Sequence, residues 1–290
     1  MFAGAMVALI TPFHDGEVDL ETLDELVEFQ LEHGIDAIVP VGTTGESPTL
    51  SHAEHKQVIE RVVKTVARKV PVIAGAGSNS TAEAIELTDF AKKVGADATL
   101  QVCPYYNKPT QEGFYQHFKA IAEEVDLPMV LYNIPGRCGA GLTSQTVARL
   151  AELENVVAIK EASGNLDMVS EIASACDITI LSGDDSLTLP IAAVGGKGVI
   201  SVVANIVPAD VKAMTDLILQ GDFVQARRWH QKLFPLAKSM LTLASNPIPI
   251  KAAMSMLEMA SEEVRLPLTP LDEAKKADLA RVMKEYGLLA

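Results

Sequence analysis

The sequence predicts a (β/α)8 TIM barrel carrying a C-terminal helical extension. Three observations lead there. Short apolar runs recur about every 25 to 35 residues, each followed by a stretch with helical periodicity. The runs are almost continuously hydrophobic, as strands covered on both faces by helices must be. After about residue 210 the strand signal stops and helical patterning continues alone. Periodicity cannot show closure, so an open doubly wound sheet stays possible, although eight units in roughly 220 residues fit a closed barrel better.

The eight runs are MVALITP (6–12), AIVPVG (37–42), PVIAGAG (71–77), ATLQVCP (98–104), MVLYNIP (129–135), VVAIKE (156–161), ITILSGDD (178–185) and GVISVVAN (198–205). Between the first two, Asp19 is placed to cap a helix containing Leu20, Leu23, Leu26 and Val27, with Gly34 beyond its end. Ser51 with Glu54 and Ser80 with Glu83 have the spacing of capping boxes for the next two helices. Strands alternating with helices imply parallel pairing through right-handed crossovers. Residues 1–221 are assigned to a catalytic barrel and 222–290 to a helical domain, interrupted at SNPIPIK (245–251), where two prolines predict an extended turn before MSMLEMA.

Composition narrows the function. With 24 Lys and Arg against 38 Asp and Glu, the net charge is −14, a field that repels nucleic acid and anionic membranes, so neither is expected as a partner. Cations that hold an anionic substrate must then be local and few. No Lys or Arg precedes Lys56, no apolar run is long enough to span a bilayer, and a cytoplasmic enzyme is expected. Cys103, Cys138 and Cys176 contain no C-x-x-C pair and are expected to be reduced packing residues.

Active sites of such barrels lie at the carboxyl ends of the strands. There the sequence places GTTGE (42–46), PYYN (104–107), YNIPGR (132–137), Lys160-Glu161 and SGDD (182–185). Each has an ordinary alternative. GTTGE can be a tight turn and lacks the G-K-[ST] ending of a P-loop. Tyr105 and Tyr106 can be packing aromatics, and Arg137 a surface ion pair. GGKG (195–198) resembles a phosphate cradle but precedes the eighth strand, at the wrong end, while SGDD would repel phosphate. His52 and His55 can share a helix face, but no further metal ligands accompany them, so a solvated or interface pair is expected and no metal.

Lys160 ends a strand that begins in the interior, and a lysine is rarely buried without a partner. Taken alone it could simply mark the surface. Tyr132, however, ends the preceding strand, and neighbouring strands lie about 4.8 Å apart, so phenol and amine can meet over the barrel mouth. Desolvation there would favour the neutral amine that attacks a carbonyl. No dinucleotide fingerprint, metal cluster or serine or cysteine triad competes.

The stretches VGTTGESPTL, PVIAGAGSNST, PYYNKPTQEGFYQHFKAIAE, LYNIPGR, IKEASGNL, LSGDD, GGKGVISV and NPIPIK resemble the class I aldolases and synthases that act on pyruvate through a lysine Schiff base, and within them the dihydrodipicolinate synthase family, over essentially the whole chain. The resemblance implies condensation of pyruvate with L-aspartate 4-semialdehyde in lysine biosynthesis, with no cofactor beyond the lysine. It implies that Lys160 forms the imine and Tyr132 transfers protons. Thr43 would link Tyr132 to Tyr106, which comes from a neighbouring subunit of a homotetramer built as a dimer of dimers. Thr44 would hold the pyruvate-derived group and Arg137 the carboxylate of the semialdehyde, with Gly183 and Ile200 as backbone contacts. In members inhibited by lysine, the matching pocket positions are Ser47, Pro48, His52, His55, Asn79, Glu83 and Tyr105; Pro48 departs from the alanine common there. N-acetylneuraminate lyases and 2-keto-3-deoxy-sugar-acid aldolases share the lysine and tyrosine, and a barrel that only binds a keto acid is a third alternative. Arg137 after YNIPG favours the synthase, since a second carboxylate needs a cation.

Overall fold

In the computed structural model, which describes residues 2–290, each apolar run contains a parallel strand, and the helix after it returns the chain to the same end of the sheet. The strands are β1 (Gly4–Ala8), β2 (Ala37–Val39), β3 (Ile73–Gly75), β4 (Ala98–Val102), β5 (Met129–Asn133), β6 (Val156–Glu161), β7 (Thr179–Ser182) and β8 (Gly198–Ser201). Their hydrogen-bonded order is β2-β1-β8-β7-β6-β5-β4-β3. A parallel bridge between Ile38 and Val72 joins the two ends. It is reinforced by the amide of Ile38 donating to Pro71 O and that of Gly75 to Pro40 O, both at 3.0 Å. The ring is therefore closed, and the open-sheet alternative falls. A Cβ on Gly75 would stand 2.3 Å from the Val41 carbonyl oxygen, so only glycine allows the approach that completes the closure.

Side-chain alternation along each strand divides the core in two. Met6 and Ala8, Ala37 and Val39, Ile73, Leu100, Val130 and Tyr132, Ala158, Leu181 and Ile200 form one buried cluster inside the barrel. Their chain neighbours, such as Val7, Ile38, Leu131 and Ile159, pack outward against the helices. Lys160 follows Ala158 by two residues and so shares its inward parity.

The helix layer consists of α1 (Leu20–Glu32), α2 (His52–Val66), α3 (Thr81–Val94), α4 (Gln111–Glu124), α5 (Ser144–Leu150), α6 (Leu166–Ala175), α7 (Thr188–Ala193) and α8 (Pro208–Leu219). Asp19 caps α1 by accepting from the Thr22 amide at 3.0 Å, and Ser51 and Glu54 form the expected capping box on α2. The box expected on α3 does not form. Glu83 is instead drawn to the Ser78 hydroxyl and to His52, because a carboxylate at that position has stronger partners than the Ser80 amide. The Ser80 amide donates to the Ser78 hydroxyl at 3.0 Å.

Three further helices, α9 (Phe223–Thr242), α10 (Ile248–Met256) and α11 (Glu273–Tyr286), form the extension. Leu236 and Met240, Ile250 and Met254, and Leu279 and Met283 are buried in the same cluster as Val7, Leu23 and Val211 of the barrel. Burial of each such side chain is worth about 1.5–3 kcal/mol, which makes the extension a fixed buttress. The extended turn expected across SNPIPIK is shorter than foreseen, because α10 already begins at Ile248. Pro249 is tolerated in its first turn, where a backbone N–H has no helical acceptor to lose. A small hairpin pairing Phe13–His14 with Glu17–Val18 was not anticipated. Its turn, Asp15 and Gly16 with φ of 50° and 84°, is the left-handed pair that an Asp-Gly dipeptide favours.

Candidate active site

Five chain segments converge at the carboxyl rim, and strand register decides which side chains meet there. Tyr132 and Lys160 are direct partners across β5 and β6, and Lys160 Nζ lies 4.3 Å from the centroid of the Tyr132 ring. Both are inside the protein, 4% and 5% exposed. Among the described residues Lys160 has no carboxylate within ion-pairing distance. The Asp184 carboxyl is pushed up by burial, an effect opposed by the charge of Lys160. An amine held in the barrel mouth without a counter-ion is placed to react, not to stabilise.

The next residue pair points the other way. The Asn133 side-chain amide donates to Glu161 at 2.8 Å, and Glu161 also accepts from the Ser163 amide at 2.6 Å. Asn133 Oδ1 in turn accepts from the Leu142 amide at 3.0 Å, so β5, β6 and the loop after Arg137 are locked together on the outer face. Glu161 is thereby structural. Asp185 is structural too: its buried carboxyl, raised by desolvation, accepts from the Val202 and Val203 amides at 2.8 and 3.2 Å where the chain leaves β8.

Beside Tyr132 opens a cavity of about 220 Å³ whose wall includes Thr43, Ser47, Pro48, Tyr105, Arg137 and Cys138. It is floored by apolar side chains, Leu100 and Val102 among them, and admits a small polar molecule. Arg137 lies within a one-turn helix at Pro135–Cys138 and donates from Nη2 to Asn246 O at 3.2 Å. Among the described residues it pairs with no acid, so its charge is available to a ligand carboxylate. The surface ion pair considered for it is absent. Burial pushes the Cys138 thiol up to about 11, in keeping with a reduced packing role.

The expected site residues do not all line this cavity. Thr44 is buried beneath the turn and accepts from the Asn246 side-chain amide at 3.0 Å. Gly183 donates its amide to Glu161 O at 2.8 Å, and Ile200 is fully buried inside the barrel. Tyr106 has a left-handed backbone, φ 72°, and stands 89% exposed, away from the cavity wall.

Residues expected around a lysine pocket do adjoin one another. Glu83 meets His52 Nε2 at 2.5 Å, and Asn79 donates to Tyr105 O at 3.2 Å. Burial pushes the Tyr105 phenol up, and the nearby Glu83 carboxylate adds to the effect. Of the two histidines expected to be a solvated or interface pair, only one is solvent-exposed in the protomer. His55 is buried against Gly75 O at 2.7 Å, and burial lowers its basicity, whereas His52 stays at the surface. Among the described residues no cluster suited to a metal ion occurs, and no helix is long and apolar enough to cross a membrane.

Asn246, which reaches both Thr44 and Arg137, had no assigned role in the sequence. Its signal was NPIPIK, a proline-framed segment in a region otherwise made of helices.

The profile of the Dihydrodipicolinate synthetase family matches residues 1–286. The chain is 57% identical over its whole length to the full-length 4-hydroxy-tetrahydrodipicolinate synthase of Geotalea uraniireducens. Among solved structures it superposes with a TM-score of 0.97 on the dihydrodipicolinate synthase of Acinetobacter baumannii, a chloride-inhibited form complexed with pyruvate, at 44% identity and complete coverage of both chains. With the lysine-bound enzyme of Cyanidioschyzon merolae the TM-score is 0.96 at 44% identity, covering 99% of each chain.

Proposed function

The chain belongs to the dihydrodipicolinate synthetase family, and from that premise we propose how its own residues condense pyruvate with L-aspartate 4-semialdehyde to 4-hydroxy-tetrahydrodipicolinate. It is a Schiff-base-forming carbon–carbon synthase of lysine biosynthesis that needs no added cofactor. The observation that carries the residue assignment is the register pairing of an uncompensated, buried Lys160 with Tyr132, which itself lines the cavity that also holds Arg137.

Lys160 Nζ attacks C2 of pyruvate, and loss of water from the carbinolamine gives the imine. Removal of a proton from C3 gives the enamine, whose C3 attacks the aldehyde carbon of the second substrate. The amino group of that substrate then adds to the imine carbon, closing the ring as the Lys160 amine leaves. One water is released in all. Tyr132, next to Nζ, shuttles the protons, and Thr43, on the same cavity wall, hands them on. Arg137 holds the semialdehyde carboxylate with charge-assisted hydrogen bonds, Thr44 the pyruvate-derived carboxylate, and Gly183 and Ile200 contribute backbone contacts.

Tyr106 belongs to the relay of a neighbouring protomer, a role supported by its 89% exposure and constrained backbone. The enzyme is accordingly read as a cytoplasmic homotetramer, a dimer of dimers. Its barrel is taken as residues 1–221 and its helical domain as 222–290, a division supported by the break between α8 and α9. The pocket of Ser47, Pro48, His52, His55, Asn79, Glu83 and Tyr105 is read as a lysine site, a reading supported by the lysine-bound relative. Treating the protein with pyruvate and borohydride tests the central assignment: a mass increment is expected on the peptide containing Lys160, and an adduct confined to any other lysine refutes it.

A further inference from the structure

The turn Gly42–Glu46, which carries Thr43 and Thr44, has a backbone that its own sequence does not favour. Val41 just before it and Glu46 at its end have φ of 50° and 53°. A β-branched valine in the left-handed region is a genuine outlier, and such conformations persist only where surrounding contacts over-determine them. Besides the Thr11 hydroxyl, which donates to Gly45 O at 2.7 Å, three of those contacts come from one remote segment. Asn246 donates to Thr44 Oγ1 at 3.0 Å, and the Arg265 amide donates to Glu46 Oε2 at 3.1 Å. Lys251 Nζ meets Glu46 Oε1 at 2.5 Å, with both side chains at most 1% exposed.

Lys251 is further fixed by donating to Glu263 O at 2.8 Å and by lying 4.1 Å from the centroid of the Phe13 ring. Desolvation lowers its pKa to about 8, with Glu46 acting against that drop. A buried ion pair is poor value as a stabiliser, because apolar groups of the same shape serve as well or better. What it supplies is direction: a charge accepts only partners that arrive in the correct place.

We propose that the buried Lys251–Glu46 ion pair is a positioning device of the active site, by which α10 holds the Thr43–Thr44 turn in its strained, pyruvate-competent shape. The inference rests on the roles given above to Thr43 and Thr44. It assigns to the helical extension a share in catalysis, exerted through the turn and not by contact with substrate. The two substrates should feel it unequally. Glu46 anchors the turn that handles pyruvate and its protons, whereas Arg137 touches neither member of the ion pair and is tied only to the backbone carbonyl of Asn246.

The test uses the double variant Glu46→Gln/Lys251→Met, which removes both charges at nearly constant volume and so avoids the stranded charge that either single change would leave. The expected result is a folded protein whose KM for pyruvate rises and whose kcat falls on the order of 10²-fold, the usual cost of displacing catalytic groups by about 1 Å. Borohydride trapping at Lys160 should slow in parallel, while KM for the semialdehyde stays within about twofold. A merely structural pair would lower the amount of active enzyme and leave both KM values and the trapping rate per folded molecule unchanged; that result overturns the proposal. If the double variant does not fold, Glu46→Asp decides the matter, since it keeps the charge but withdraws the carboxylate by one methylene and should show the same split between substrates. If unmodified protein gives no Lys160 adduct, the functional assignment itself fails and this inference falls with it.

Discussion

Arg137→Ala separates the two halves of the reaction. The guanidinium makes one hydrogen bond within the described residues, to Asn246 O at 3.2 Å, and pairs with no acid, so removing it should cost the fold about 1 kcal/mol or less. In the role proposed for it, its loss falls on the second substrate. Two charge-assisted hydrogen bonds to a carboxylate are worth about 1.5–3 kcal/mol each when sheltered. Arg137 sits on the exposed side of its turn, so solvent screening brings the pair down to about 3 kcal/mol in total. At about 1.4 kcal/mol per tenfold, kcat/KM for aspartate semialdehyde should drop on the order of 10²-fold. Imine formation precedes that substrate and should be untouched. Steady-state kinetics with each substrate varied in turn, together with pyruvate–borohydride trapping, measure the two effects on one preparation. Loss of trapping in a folded variant, or unchanged kcat/KM for the semialdehyde, would refute the reasoning.

Two further outcomes are expected. Hydrogen bonds from Arg265 hold the Glu54 carboxyl at about 2, below its ordinary 4.5. A depressed carboxyl contributes stability that is fully present above pH 4.5 and is lost as pH falls towards 2. The ceiling is about 3 kcal/mol, reduced to about 1–2 kcal/mol by the solvent-open side of the pair. Glu54→Gln should therefore flatten the acid limb of a denaturant-midpoint titration; identical profiles for the two proteins would dismiss the linkage. L-Lysine titrated at fixed pyruvate should inhibit partially in the millimolar range, on the order of a weak ligand's Kd, with Glu83→Ala relieving it, because the proposed site uses Glu83 to accept the α-ammonium. Absence of any response at that concentration would leave the pocket without a ligand.

The central pair was legible because it depends on local information. Tyr132 and Lys160 each end an apolar run, and consecutive runs in a parallel barrel become neighbours, so adjacency in the pattern became adjacency in space. Asn246 and Lys251 were not legible, since their partners Thr44 and Glu46 lie about 200 residues away and no periodicity encodes such a contact. Ser80 shows the opposite failure. It has the capping-box spacing, but Glu83 has better partners in Ser78 and His52. Tertiary contacts won over a correct local pattern. The hairpin at Asp15 and Gly16 was written plainly in its turn dipeptide and was obscured by the longer run preceding it.

Lys160 and Glu161 are consecutive in the chain and opposite in destination, one facing the axis of the barrel and the other sealed against Asn133 on its outer face. The sign of charge presented to a keto acid is thus encoded in odd-even parity. A slip of β6 by one residue would turn a carboxylate towards the substrate and drive an ammonium in among Leu131, Ile180 and the helices that cover them. Both misplaced ions would be stranded, each at a cost of several kcal/mol, which disfavours a slipped register. In the proposed mechanism the register that completes the outer face of β6 is therefore the same one that presents the nucleophile, so folding and arming the site are a single event.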